Sequence, residues 1–189
     1  NLELGIIGNC MYSALIDRKG RVVWCCLPRF DGDPIFCSLI NGDEDEVQEG
    51  FFDIVINDFS HSEQHYEYNT AILVTTLYDQ HGAAVQITDF APRFRRYGHM
   101  HRSQRLIRRL QPINGTPRIS VRVRPTYDYG AKPMQTIQGS NYIQYVAPGT
   151  CFRMSTDMPV SYILDETPFL LEEPSAVTFV PDEPLRYTV

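Results

Sequence analysis

No apolar run in these 189 residues approaches the roughly 20 consecutive residues that span a bilayer, so no transmembrane helix is expected. CxxC, GxGxxG, P-loop and serine-elbow patterns are missing, which removes the usual sequence marks of thiol redox enzymes, nucleotide binders and α/β-hydrolases. Positive charge is scarce. The 17 Lys and Arg against 23 Asp and Glu leave a net charge of −6, the wrong sign for a general nucleic-acid binder. No repeat, low-complexity tract or linker divides the chain, which reads as a single domain over residues 1–189. No signal-peptide pattern opens it, although the first residue is Asn1 rather than Met.

Cysteine is present but unpatterned. Cys10, Cys25, Cys26, Cys37 and Cys151 form an odd set, and the neighbours Cys25 and Cys26 must point to opposite faces of a strand. They read as buried free thiols in a reducing compartment, which places the protein in the cytoplasm; a Cys10–Cys25 disulfide has no support.

Long amphipathic helices are also lacking, and thirteen prolines break any long helical reading. What fills the chain is short strands separated by Gly, Pro, Asn and Asp. Ile119, Val121 and Val123 alternate with Arg118, Ser120, Arg122 and Arg124, the pattern of a strand buried on one face. Residues 71–78 are apolar on both sides, as in a central strand, and 83–90 form a hairpin partner across the Gln80-His81-Gly82 turn. Further strands are expected at 51–56, 141–146, 151–155, 160–164 and 176–180. Residues 34–40 read as one or two helical turns with Asp33 as N-cap and Pro34 at the first position. The fold class is therefore all-β, a large antiparallel β-sandwich (supersandwich) with at most one or two short helices.

The most informative stretch is residues 8–36. Two apolar runs, 13–16 and 22–27, flank the turn Asp17-Arg18-Lys19-Gly20, and the second run ends in Leu27-Pro28-Arg29-Phe30-Asp31-Gly32. This is a β-hairpin whose outgoing strand, stopped by Pro28, delivers Arg29, Phe30 and Asp31 onto one loop. Such a trio suits a polyhydroxylated ligand or a charged interface, and the hairpin alone leaves that choice open.

Ile7-Gly8-Asn9-Cys10, Ala14-Leu15-Ile16-Asp17-Arg18, Gly20, Trp24, Leu27-Pro28-Arg29-Phe30-Asp31 and Phe36 closely resemble the opening of bacterial glycoside hydrolase family 15 proteins, the glucoamylase, glucodextranase and trehalase-like enzymes. Thr88-Asp89-Phe90-Ala91-Pro92-Arg93 and Tyr127-Asp128-Tyr129-Gly130 resemble two later motifs of that family, in the right order. Met11-Tyr12, Val23 and Cys25 depart from it, and residues 131–189 agree only in strand-like texture. Residues 103–110 carry Leu106, Ile107 and Leu110 at helical spacing, yet the resemblance assigns a strand there.

The resemblance implies a hydrolase that inverts α-glucosides or trehalose, with one carboxylic acid protonating the leaving oxygen and another activating water. It places both glutamates in a catalytic (α/α)6 barrel downstream of Val189, so no catalytic residue is assigned here and the 189-residue domain alone is expected to be inactive. The strand-like Arg186-Tyr187-Thr188-Val189, without a polar tail, fits a polypeptide that continues. The expected role is to support the barrel and border its substrate entrance. Its partners are that barrel and an α-glucan or trehalose at the domain interface; no nucleic acid, membrane, cofactor or metal is implied. Trp24, Arg29, Phe30 and Asp31 are the substrate-rim or domain-interface candidates: Arg29 to donate paired hydrogen bonds, Asp31 to accept from vicinal hydroxyls, Trp24 and Phe30 to stack on a sugar face. The competing reading, in which Arg29 and Asp31 secure the loop or the interface and Trp24 fills the core, is favoured. The alternative to the whole assignment is a free-standing carbohydrate-binding or homo-oligomeric interaction module.

Other groupings read as structural. Asp43, Glu44, Asp45, Glu46 and Glu49 lack the spacing of an EF-hand and read as a solvated loop, and Glu172-Glu173 as a turn at Pro174. Asp89 is expected to accept backbone or arginine hydrogen bonds, and Gly130 to take a positive φ in a turn. Arg93, Arg95, Arg96, Arg102, Arg105, Arg108 and Arg109, with His99 and His101 on a loop, form a basic patch that suits acidic residues of the barrel or a partner chain better than nucleic acid. His61 and His65 have the spacing of a helical metal pair but lie in strand-like or loop sequence.

Overall fold

The computed structural model describes residues 3–41 and 49–182. In chain order the strands begin with β1 (Gly5–Gly8), β2 (Ser13–Ile16), β3 (Val22–Cys26), β4 (Pro34–Phe36), β5 (Phe51–Ile56) and β6 (Phe59–Tyr66). They continue with β7 (Leu73–Asp79), β8 (Ala84–Phe90), β9 (Arg93–Arg96), β10 (His99–Arg102), β11 (Leu106–Asn114) and β12 (Arg118–Arg124). Then come β13 (Thr126–Tyr127), β14 (Lys132–Pro133), β15 (Gln135–Gln138), β16 (Tyr142–Ala147), β17 (Thr150–Thr156), β18 (Phe169–Leu170) and β19 (Ser175–Asp182), with helix α1 (Val160–Leu164) between β17 and β18. The acidic residues 43–46 and the C-terminal residues 186–189 lie outside the described residues.

Two antiparallel sheets hold most of these strands. The first runs β1-β2-β3-β5-β12-β18 with β4 on β3; the second runs β15-β16-β17-β19-β11-β8-β7-β6. Strand alternation turns one face of each inward. Ile16, Phe52, Ile54, Ile119 and Val121 from the first sheet meet Leu77, Val85, Ile87, Leu110 and Phe179 from the second in one apolar cluster. The described residues thus form an all-β sandwich with one short α-helix. Among the described residues no helix is long and apolar enough to cross a membrane.

A charged pair sits inside this apolar layer. Arg108 (β11) lies directly opposite Asp89 (β8), and both side chains are fully buried. Arg108 Nε and Nη2 donate to the two carboxylate oxygens at 2.8 and 3.0 Å. The same guanidinium crosses to the other sheet, donating through Nη1 to the Phe52 carbonyl at 2.9 Å and through Nη2 to the Gly20 carbonyl, with the Phe52 ring 4.6 Å away. Burial pushes the Asp89 carboxyl up and Arg108 pulls it back. Asp89 therefore accepts arginine hydrogen bonds as its sequence position suggested, and Arg108 is withdrawn from the basic patch.

Several local expectations are corrected. Residues 160–164 form α1 rather than a strand, because Val160 and Ile163, three apart, are the buried residues while Tyr162 stays partly exposed. Residues 34–40 are not a helix with Asp33 as cap: Pro34–Phe36 pairs with β3, and only Ser38–Ile40 makes a 3₁₀ turn. Residues 106–114 form a strand, as the family resemblance implied and the local leucine spacing did not. His99 and His101 lie on strand β10, not on a loop, and four of the five cysteines are buried whereas Cys10 is exposed.

Removing one member of the buried pair leaves the other charge uncompensated. Arg108→Met is expected to cost about 3–5 kcal/mol in urea unfolding, and Arg108→Met with Asp89→Leu is expected to recover much of that loss.

Candidate functional site

The hairpin β2–β3 delivers the candidate loop as its sequence implied, but its strands are out of simple alternation. A β-bulge between Leu15 and Ile16 pairs Ile16 with Val22 and Ala14 with Cys25, so Val22 and Cys25 both join the core. Trp24, opposite Leu15, is thereby left half-buried outside the core cluster. The expectation that Trp24 fills the sandwich core is corrected by that bulge.

Beyond the cis Leu27–Pro28 bond the loop turns outward. Arg29 Nε and Nη2 donate to the two Asp31 oxygens at 2.8 and 2.6 Å, and the pair stays in solvent, with side chains 74% and 69% exposed. Phe30 between them is 55% exposed. Thus Arg29, Phe30 and Asp31 share one loop, Arg29 and Asp31 satisfy each other, and Trp24 stands on the strand behind. The Arg29 hydrogen bond holds the Asp31 carboxyl below its usual range.

Hydrogen bonds tie this loop to two other segments distant in sequence. Gln104 Nε2 donates to the Pro28 carbonyl at 2.8 Å. The Asp33 carboxylate accepts from the backbone N–H groups of Asp128 and Tyr129 at 2.5 and 2.8 Å. Those two residues and Gly130 all have positive φ, and a side chain at Gly130 would meet Asn41 and the Cys37 sulfur at 2.3 and 2.8 Å. Buried Asn9 donates through Nδ2 to the carbonyls of Pro92 and Ser103 at 2.9 and 2.7 Å, and the Tyr12 hydroxyl donates to the Arg105 carbonyl. The β9–β10 hairpin thus stands on a base clamped from β1–β2, beside the Pro28 loop.

Sequence reading marked Asn9, Arg29 to Asp31, Pro92 and Asp128 to Gly130 separately; the structure joins their segments through one chain of hydrogen bonds. It did not assign Asn9, Tyr12 or Gln104 a bonding role. Asp33 beside Pro34 looked like a helix cap, and its use as an anion for two distant amides leaves no local signal.

Most carboxylates seen here are already engaged. Asp53 accepts from Arg21 at 3.0 Å and from Arg122 at 2.9 and 2.6 Å, and Glu166 accepts from Arg124 at 2.6 and 2.8 Å. His61 stacks on Tyr78 at 4.5 Å on strand β6, and among the described residues no three His, Cys, Asp or Glu side chains gather as metal ligands.

A family model described as "Trehalase-like, N-terminal" matches residues 3–159, which includes every clamped segment. The chain belongs to this trehalase-like N-terminal family. It is 28% identical over 128 residues to a trehalase from Thermoplasma volcanium, covering 67% of this chain and 20% of that protein. It is 29% identical over 162 residues to Trehalase 1 from Sulfolobus acidocaldarius, covering 85% of this chain and 26% of that protein. The chain therefore spans about a fifth to a quarter of the curated relatives it matches. No solved structure matches it significantly.

Two outcomes test the loop frame. Asp33→Ala is expected to cost about 1–2 kcal/mol and to speed amide exchange at Asp128 and Tyr129, with little change in the core. Because the folded-state value of Asp31 is depressed, the order contributed by its pair is present above the unfolded Asp value of about 3.9 and lost as pH falls through the folded value. Carboxyl NMR is expected to show Asp31 titrating below about 3.9, and Arg29→Gln is expected to move it upward toward that value.

Proposed function

We propose that this chain is the non-catalytic N-terminal sandwich of a trehalase-like hydrolase of glycoside hydrolase family 15, supporting a catalytic (α/α)6 barrel and bordering its substrate entrance. The observation that carries this reading is the convergence of the family-matched segments around Asn9, Pro28, Pro92 and Asp128 on one hydrogen-bonded frame, which holds the exposed Arg29-Phe30-Asp31 loop in front. A frame of that kind is more than a loop needs for its own folding, and it suits a surface that must keep its shape against a second domain. The trehalase names of the relatives support trehalose as the sugar of the parent enzyme. On this reading inverting hydrolysis belongs to paired glutamates of the barrel, one protonating the glycosidic oxygen and the other activating water. The sandwich contributes position: Arg29 and Asp31, already paired, present a neutral polar edge that can exchange bonds with the barrel rim at little electrostatic cost.

The purified 189-residue chain is expected to release no glucose from trehalose, maltose or maltodextrin above a blank; measurable release overturns the assignment. In the polypeptide that carries both domains, Arg29→Ala and Asp31→Ala are expected to lower the melting temperature while leaving kcat and KM of the surviving folded enzyme unchanged. A raised KM for trehalose at undiminished stability would instead put the loop in the sugar pocket.

A further inference from the structure

The most unbalanced feature of the molecule is the β9–β10 hairpin. All eight of its strand residues are exposed, so neither face packs on the sandwich. Its two-residue turn, Tyr97-Gly98, has both φ values positive, the geometry that matches strand twist in a tight hairpin. Register places Arg93 opposite Arg102 and Arg95 opposite Met100, which puts three guanidinium groups on one face. The other face carries Phe94 stacked on His101 at 5.4 Å, with Arg96 opposite His99.

Two-stranded hairpins are marginal in water, and like charges set directly opposite each other weaken them further. Folding of the sandwich does not explain why Arg93 and Arg102 face each other here. Among the described residues Arg93, Arg95 and Arg102 have no ion-pair partner, whereas Asp53, Asp89 and Glu166 are each held by other arginines. Seven of the 17 cations fall within residues 93–109, which hold no carboxylate, leaving ten cations against 23 carboxylates elsewhere. The base, by contrast, is fixed: Asn9 bonds both Pro92 and Ser103, and Tyr12 bonds Arg105.

We propose that the β9–β10 hairpin is a cationic docking arm whose Arg93, Arg95 and Arg102 face binds a carboxylate-rich surface on the catalytic domain of the same polypeptide. The placement rests on reading this chain as the N-terminal domain of a trehalase-like hydrolase. Charge complementarity sets the chemistry of the partner, since three adjacent guanidinium groups are relieved of mutual repulsion only by anions. The share of the relatives that lies outside the matched region, most of their length, supplies the occupant. The acidic remainder of the sandwich opposes a polynucleotide at this position.

The test uses the two-domain polypeptide with a protease site engineered after the sandwich, cut and then run on gel filtration at low and high salt. The wild-type halves are expected to stay together at 50 mM salt and to separate more readily at 500 mM, because exposed charge contacts are screened. Arg93→Gln with Arg95→Gln and Arg102→Gln is expected to weaken association by about tenfold or more at low salt. The same substitutions are expected to leave the sandwich's own unfolding midpoint unchanged or slightly raised, since they remove like-charge repulsion. Equal association of variant and wild-type halves overturns the arm while leaving the two-domain reading intact; halves that never associate overturn both. Loss, in the variant, of polynucleotide binding or of a dimer of this chain, rather than of domain association, also overturns the arm.

Discussion

The rest of the structure depends on one guanidinium placed between two sheets. Arg108 spends its donors on both Asp89 oxygens and on the carbonyls of Phe52 and Gly20, so the ion inside the core has partners on every side it presents. That satisfaction offsets the desolvation of two charges, which an apolar core would otherwise not tolerate. It also constrains the pairing. Slipping β11 by one residue against β8 would turn Arg108 to the outer face and set Ile107 or Arg109 opposite the buried Asp89. The register of the second sheet and the seating of the β2–β3 turn are therefore set by the same contact.

The site inherits its geometry from that register. Asp89 and Arg108 lie near the ends of β8 and β11, and the chain between those strands leaves the sandwich as the β9–β10 hairpin. Asn9 can bridge Pro92 and Ser103 because both strands end at the same level. Burial pushes the Tyr12 phenol up, which keeps its hydroxyl protonated as the donor to Arg105. From there Gln104 reaches Pro28, and Asp33 reaches the turn at Asp128, so an interaction in the core is carried outward to the exposed loops through short polar contacts.

Much of this was legible in the sequence, for identifiable reasons. Period-two alternation located β12, and the Gly20 and Gly82 turns located the flanking hairpins, because strand geometry and turn chemistry are local. Two of the misread segments failed where the local signal was ambiguous. Val160 to Leu164 is too short and too apolar for periodicity to separate helix from strand, and Pro34 after Asp33 imitates a helix start. The core reading of Trp24 fails at a β-bulge that no residue announces. The clamps were illegible in principle: Asn9 and Pro92 are 83 residues apart, and only the folded sheets bring them together.

The arginines of residues 93–109 show why composition alone misjudges such a surface. As a run they resemble a nucleic-acid footprint. Strand direction divides them: Arg108 points inward and is neutralised, while Arg93, Arg95 and Arg102 are held outward on a hairpin with no anion of their own among the described residues. The carboxylates divide in the opposite way, with Asp53, Asp89 and Glu166 committed to arginines within the sandwich. A domain that projects unpaired cations from a rigidly clamped base has a means of holding another surface in place.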